Sequence, residues 1–463
     1  MKSKICYTLI FILLAHCTLI AQTKQKAIQN FLNNEGLKNA SAGICIKDFS
    51  GKRIASHNPD RSYTPASILK VVTTATALEI LGSGYRYQTT LEKDINHPGR
   101  LLIRGYGDPT LGTEHLDNEP NAFLSQWAGE IEKNIDSDET LDIMVIDDYF
   151  GYGDGISHRW IYQDMGNYYA AAAYGVSVFD NTYKLYFNTT RSDTCPVIVK
   201  TEPEININFK NTLKINSSGQ DNGYIHGAPF SMDRLLTGSV PGGKTSFSIK
   251  GDIPDPGMFL AESMGRTLAE KGYKIGKAET SQNDYYGQMY LKNKKFAEGE
   301  IFYNHRSFPL KDIIKDTNVR SNNHYAEHLI RTVGRTETND IYSSALDAGI
   351  KKTNDFWKNK GLDTDALTIF DGSGLSPADA VSPAFMCDLL VYMQTKSKYA
   401  PEFLESLPQA GMDGTVRNRL AGTRLAGKIR MKSGSIYGVQ CFAGYYINGD
   451  TKYAFTIMVN KFS

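Results

Sequence analysis

The 463-residue chain is short of cysteine, of tryptophan and of any imbalance of charge, and each scarcity removes a class of protein. Of its six cysteines, Cys6 and Cys17 fall in an N-terminal apolar stretch, and Cys45, Cys195, Cys387 and Cys441 are scattered with no C-x-x-C between them. No disulfide framework can be read from such spacing, so the four are expected as buried free thiols. Basic and acidic residues number 51 and 50, a net charge of +1, and there is no basic arm, which excludes an ordinary nucleic-acid binder. The short run Lys292-Asn293-Lys294-Lys295 reads as a solvated loop. After the N-terminus no apolar run approaches the ~20 residues of a membrane-spanning helix, so membrane association is expected to be peripheral at most. Internal repeats and low-complexity segments are lacking too.

What is present begins with an export signal. Lys2 and Lys4 precede an apolar centre from Tyr7 to Ala15 and small residues up to Ala21-Gln22, the layout of a secretory leader, residues 1–21, with cleavage expected near Ala21 and a periplasmic destination. The length exceeds what one hydrophobic core usually organises, so two or three domains are expected. Residues 41 to 56 alternate apolar and polar around a Ser50-Gly51 turn, as in a strand pair. Thr64 as cap and Pro65 as first residue open a helix that stays apolar nearly all round until Gly82 and should be buried. From about 88 to 295 short segments and turns dominate, with a small all-β unit at about 190–250 and a helical pattern from Pro254 to Gly272. A helix-rich block from about 309 to 400 follows, and the chain ends in strand signals at 427–431, 441–446 and 453–459.

Three short motifs carry chemistry. Ser67-Ile68-Leu69-Lys70 places a hydroxyl and an amine three residues apart, on one helix face. A serine hydroxyl becomes a nucleophile when a base takes its proton, and a lysine kept neutral by burial and nearby cations can be that base. Ser321-Asn322-Asn323 precedes another helix: Ser321 can relay a proton to a leaving amine, and Asn323 can hold a substrate amide and Lys70, although Ser and Asn are also ordinary helix caps. Lys432-Ser433-Gly434 lies between strand signals, where a lysine and a hydroxyl can bind a terminal carboxylate and Gly434 would let substrate backbone lie close. Ser435 can add its N–H to that of Ser67 as an oxyanion hole.

The order S-x-x-K, S-x-N, K-[ST]-G resembles the serine penicillin-binding proteins and β-lactamases. The long stretch between Lys70 and Ser321 is similar to that of the peptidase S13 family, the penicillin-binding-protein-4-like D-alanyl-D-alanine carboxypeptidases/endopeptidases. So are Gly107-Asp108-Pro109-Thr110-Leu111, Asp371-Gly372-Ser373-Gly374-Leu375-Ser376 and Asp413-Gly414-Thr415. The resemblance implies an α/β (α+β) fold. A discontinuous β-lactamase/transpeptidase-like domain would take residues 22–87 and 295–463. An inserted domain would take 88–189 and 255–294, with a small β domain nested at 190–254. It further implies catalytic Ser67, Lys70, Ser321 and Asn323, substrate binding by Lys432, Ser433, Gly434 and Ser435, peptidoglycan peptides as substrate, β-lactams as inhibitors, and no cofactor. The sequence departs from the family in three places. Serine replaces threonine in K-T-G. Pro377 stands where members often carry an arginine that helps bind the diaminopimelate end of the peptide, whose acidic partner falls at Asp154. The chain stops at Ser463, where members add a helix, so that helix is absent or replaced by other packing.

His324-Tyr325-Ala326-Glu327-His328 also matches H-x-x-E-H, a zinc-peptidase pattern, but without a convincing third ligand, so no metal is expected. The expected activity is D,D-carboxypeptidase/endopeptidase. A β-lactamase-like or esterase activity on the same serine, or a non-catalytic wall-binding protein, are the alternatives.

Overall fold

The computed structural model describes residues 21–136, 138, 140–190, 194–282, 298–340 and 342–462. The expected leader, apart from Ala21, and the run Lys292–Lys295 lie outside the described residues. Among them, no helix is long and apolar enough to cross a membrane.

A five-stranded antiparallel sheet joins the two ends of the chain, in the order Ile429–Ile436, Val439–Asn448, Thr451–Asn460, Ser41–Asp48, Arg53–His57. Side chains alternate across it, so the sheet feeds two cores, one on each face. Cys441, Ala443 and Tyr445 face a helical core built on the helix Leu69–Leu81. Phe442, Ile457 and Ile44 face a second core closed by the helix Ala21–Leu32 and by Ala410, Val416, Leu420 and Leu425. The apolar reading of the Leu69–Leu81 helix holds: Leu69 through Leu78 are buried, threonines included. Thr74 and Thr76 donate to carbonyls one turn back (Lys70 O, 2.6 Å; Val72 O, 2.8 Å), and Thr73 to Gly372 O (2.6 Å), so no hydroxyl among them is buried without an acceptor. Around this helix pack Leu310–Arg320, Asn323–Arg335, Ala345–Asn359 and Pro383–Thr395.

A second five-stranded sheet, of mixed direction, runs Lys274–Thr280, Thr140–Ile146, Arg100–Gly105, Gln88–Asp94, Gly299–Arg306. Its last strand lies beyond position 294 and pairs with Gln88–Asp94. Two smaller sheets lie between residues 182 and 252, and their buried Tyr183, Leu185, Ile225, Leu236 and Ile249 share a core with Leu91, Ile103 and Val145 of the second large sheet. The expected 254–272 helix is Pro256–Glu270, capped by Asp255, whose carboxylate accepts from Met258 N (2.9 Å). The mixed α/β fold agrees with the expectation from sequence.

Two local readings are corrected. Thr64 does not cap the helix Leu69–Leu81: its hydroxyl donates to Pro377 O (3.3 Å), and the chain enters through a 3-10 turn, Ala66–Ile68. Lys432-Ser433-Gly434 lies inside the strand Ile429–Ile436, not between strands. Its polar side chains interrupt the apolar alternation by which the strand would have been recognised.

Candidate active site

Ser67 is held out by an unusual backbone. Ala66 before it has φ 47°, a left-handed conformation that a side chain makes costly, at about 1–3 kcal/mol. The turn is fixed from both sides. A Cβ on Gly374 would sit 2.0 Å from Ala66 O, and one on Gly434 would sit 2.6 Å from Pro65 O and 2.9 Å from Ser67 N. Gly434 therefore permits the close approach of the turn that carries Ser67.

Lys70 is fully buried, one turn along. Its Nζ stands 3.0 Å from Ser67 Oγ, 2.6 Å from Asn323 Oδ1 and 2.7 Å from Ser373 O. A neutral amine has two N–H bonds and one lone pair. The two carbonyl oxygens can only accept, so they take both N–H bonds and leave the lone pair directed at Ser67 Oγ–H. Burial lowers the amine to about 7, against the upward influence of Asp371, Glu327 and Asp379.

Those carboxyls belong to one construction. Asp371 is buried and accepts from Ser373 N (3.1 Å), Gly374 N (2.6 Å), Ser376 N (2.8 Å) and Trp160 Nε1 (2.8 Å). Glu327 accepts from Gly372 N (3.0 Å) and Ser373 N (2.9 Å) and pairs with buried Arg331 at 2.7 Å. The D-G-S-G-L-S segment is thus wound around its own aspartate and delivers Ser373 O to Lys70. This job was not assigned from sequence; the signal was the motif itself, quoted only as a likeness.

Ser321 ends the helix Leu310–Arg320 in a left-handed conformation, φ 60°. Asn322 is the cap of the next helix, accepting from Tyr325 N at 3.1 Å, which frees Ser321 and Asn323 for the site. Asn323 Nδ2 donates to Tyr169 O (2.7 Å), an anchor from the stretch between Lys70 and Ser321 that sequence reasoning missed. Lys432, also fully buried, donates to Ser321 Oγ (2.8 Å) and Ser433 O (2.7 Å). Burial, and then the charge of Lys70, push its amine well below the ordinary lysine range. The Ser433 hydroxyl, the family's threonine position, lies 2.8 Å from Thr415 Oγ1.

Ser67, Ser321, Asn323 and Ser435 line one cleft of about 980 Å³. Asp164, Tyr168 and Tyr169, from the long stretch between Lys70 and Ser321, form part of its wall, and Leu375 and Pro377 another part. Asp154 does not reach this cleft. Its carboxylate accepts from Ser344 Oγ (2.9 Å) and Leu346 N (3.2 Å) at the start of the helix Ala345–Asn359. Two partly buried carboxylates do face the cleft: Asp164, which accepts from Tyr169 OH at 3.2 Å, and Asp180, which accepts from Thr113 Oγ1 at 2.8 Å and lies 3.7 Å from His115; burial raises both. Two of the H-x-x-E-H side chains are occupied elsewhere: His328 contacts Gly107 O and Ser177 Oγ, both at 2.9 Å, and Glu327 holds the 371–374 segment.

The model of the D-Ala-D-Ala carboxypeptidase 3 (S13) family matches residues 24–463. The chain belongs to this family. Its activity class is accordingly that of a serine-type, penicillin-binding D-Ala-D-Ala carboxypeptidase. Among its relatives are a D-alanyl-D-alanine carboxypeptidase of Actinomadura sp. (strain R39), 25% identical over 94% of this chain and 80% of that one, and the D-alanyl-D-alanine carboxypeptidase DacB of Haemophilus influenzae, 23% identical over 92% and 86%. The crystal structure of penicillin binding protein 4 (dacB) from Haemophilus influenzae shares the fold, with a TM-score of 0.75 at 22% identity over 92% of this chain and 91% of that one.

Proposed function

We propose that Ser67 is the acylated nucleophile of a periplasmic D-Ala-D-Ala carboxypeptidase that also cuts cross-links, with Lys70 as its base. The observation that carries this is the hydrogen-bond arrangement at Lys70, in which two carbonyl acceptors leave one lone pair for Ser67 Oγ. Ser67 Oγ bonds to the carbonyl carbon of the penultimate D-Ala as its proton passes to Lys70. The proton returns through Ser321 to the departing amine nitrogen as the C–N bond breaks, releasing D-Ala or, at a cross-link, the neighbouring peptide. Water then cleaves the ester and restores Ser67. Lys432 and Ser433 receive the terminal carboxylate, and the N–H groups of Ser67 and Ser435 receive the oxyanion.

Asp164, rather than Asp154, is the residue for a side-chain amine of the stem peptide, because it lies in the same cleft as Ser67 and, unlike Asp180 in that cleft, does not already stand beside an imidazole. Export to the periplasm rests on the basic and apolar pattern of the leader. Incubation with penicillin, digestion and mass mapping test the assignment: one adduct on the peptide carrying Ser67 is expected, and an adduct elsewhere, or none on folded protein, overturns it.

A further inference from the structure

A second cleft, of about 790 Å³, lies beside the catalytic one, and the two share walls. In the segment between Trp160 and Tyr169, Ile161, Asp164 and Tyr168 face the catalytic cleft, while Tyr162 and Met165 face the second. On the strand Asn222–His226, Tyr224 faces the first and His226 the second. The three rings form a row. Tyr162 stacks on His226 with centroids 4.9 Å apart and planes within 7°, and His226 faces Tyr224 at 6.2 Å and 24°. Thr237 Oγ1, 2.8 Å from His226 Nε2, helps set the central ring. The row starts in the catalytic cleft and ends at Tyr162, whose side of the stack is open: the residue is 62% exposed.

A large aromatic left in water is uncompensated unless something covers it. Around Tyr162 the second cleft sets exposed polar groups: Asn208, whose Nδ2 donates to Asp233 Oδ1 (3.1 Å), and Lys210, while Arg234 is buried behind them and paired with Asp252 at 2.9 Å. A fixed flat ring edged by amide, carboxylate and cationic groups suits a pyranose, which has an apolar C–H face and a rim of hydroxyl and acetamido groups. It suits a charged peptide less well, since the carboxylate of Asp233 and the guanidinium of Arg234 already have partners. Position points the same way. A stem peptide of about five residues spans at most roughly 17 Å when extended, so the sugar that carries it emerges close to the cleft holding its far end.

We propose that the second cleft, with Tyr162 as its platform, binds the neutral amino-sugar glycan strand to which the stem peptide is attached. This rests on the D-Ala-D-Ala peptidase reading and deepens it, by making glycan-linked peptide the preferred substrate.

The test compares D-Ala release from uncross-linked glycan strands bearing pentapeptides with release from the same pentapeptide free of sugar, using the full mature chain. The wild type should favour the glycan-linked form in kcat/KM by roughly 3- to 10-fold, the range of one aromatic stacking contact. Tyr162→Ala should abolish that preference while keeping hydrolysis of free pentapeptide and acylation by penicillin within about twofold. Tyr162→Phe, which keeps the ring, should retain it. Equal kcat/KM on the two substrates in the wild type, or a preference that survives Tyr162→Ala, overturns the proposal. Should neither substrate be cleaved, the peptidase reading fails, and co-sedimentation with peptide-free glycan strands decides the cleft by itself: binding lost in Tyr162→Ala supports it, and absence of binding overturns it.

Discussion

The rate at which penicillin acylates the protein should follow the protonation of Lys70. Burial brings this amine to about 7, with Asp371, Glu327 and Asp379 holding it up. A group with that pKa is neutral to about one tenth at pH 6, one half at pH 7 and nine tenths at pH 8. A solvated lysine would be neutral to only about 0.04% at pH 7. If the neutral amine is the base, the second-order acylation rate should climb about tenfold between pH 6 and pH 8 and then level, whereas an unperturbed lysine would leave it still climbing tenfold per unit at pH 8. Stopped-flow or quenched labelling with a fluorescent penicillin measures this directly. Lys70→Arg keeps the charge but cannot release a proton, so it should lose ~10²–10⁴-fold in rate while keeping its circular dichroism. A flat profile from about pH 5.5 to 8.5 would refute the reasoning, as would a Lys70→Arg protein within about tenfold of the wild type.

The same shift predicts a stability difference of known sign. The folded pKa lies below the unfolded one, so the fold disfavours the charged form. The penalty, about 5 kcal/mol for the shift from 10.5 to about 7, is full below pH 7 and fades as pH rises toward 10.5, where the unfolded chain releases its proton too. The thermal midpoint of the wild type should therefore rise between about pH 7 and pH 10 relative to that of Lys70→Met. Parallel curves would mean that burial does not depress Lys70.

Two further substitutions separate position from charge. Gly434→Ala puts a methyl against the backbone of Pro65, Ser67 and Ile68, none of which is a yielding side-chain end. A loss of about 1–3 kcal/mol by denaturant titration and of about 100-fold in acylation rate are expected. Asp154→Asn should cost about 0.5–2 kcal/mol of stability through the helix start at Ser344 and leave kcat/KM unchanged. Asp164→Asn should do the reverse, raising KM roughly tenfold only for peptides with a side-chain amine. Identical profiles for the two variants would contradict their placement.

The three motifs were legible because each needs particular residue types at fixed local spacing, and Ser67, Lys70, Ser321, Asn323 and Lys432 are found together. The elements with strong apolar periodicity were also legible, among them the buried Leu69–Leu81 helix and the strands at both chain ends. What was hidden was carried by backbone atoms. Ser373 O and Tyr169 O serve the site whatever their side chains are, so no residue type announces them. Asp154 and Asp164 show how a loop misleads: both are aspartates in turn-rich stretches between Lys70 and Ser321, and only the folded path decides which one faces the cleft. Glu327 was read within a histidine motif because its true partners, the amides of Gly372 and Ser373, are distant in sequence.

Two fully buried lysines in one site would seem interchangeable by sequence, yet their surroundings divide them. Lys70 has three carboxyls holding its pKa near neutrality and two carbonyls fixing its lone pair, the conditions for a base that is free about half the time at pH 7. The influences on Lys432 are burial and the charge of Lys70, and both drive its proton away. Its contacts are a hydroxyl and one carbonyl, which cannot compensate a charge. A terminal carboxylate docking there supplies the missing counter-charge, so on the proposed roles the substrate favours the protonated form of Lys432. A peptide ending in an amide brings no such counter-charge. Selectivity for a free C-terminus then arises from a compensation that only the correct ligand provides to a buried amine.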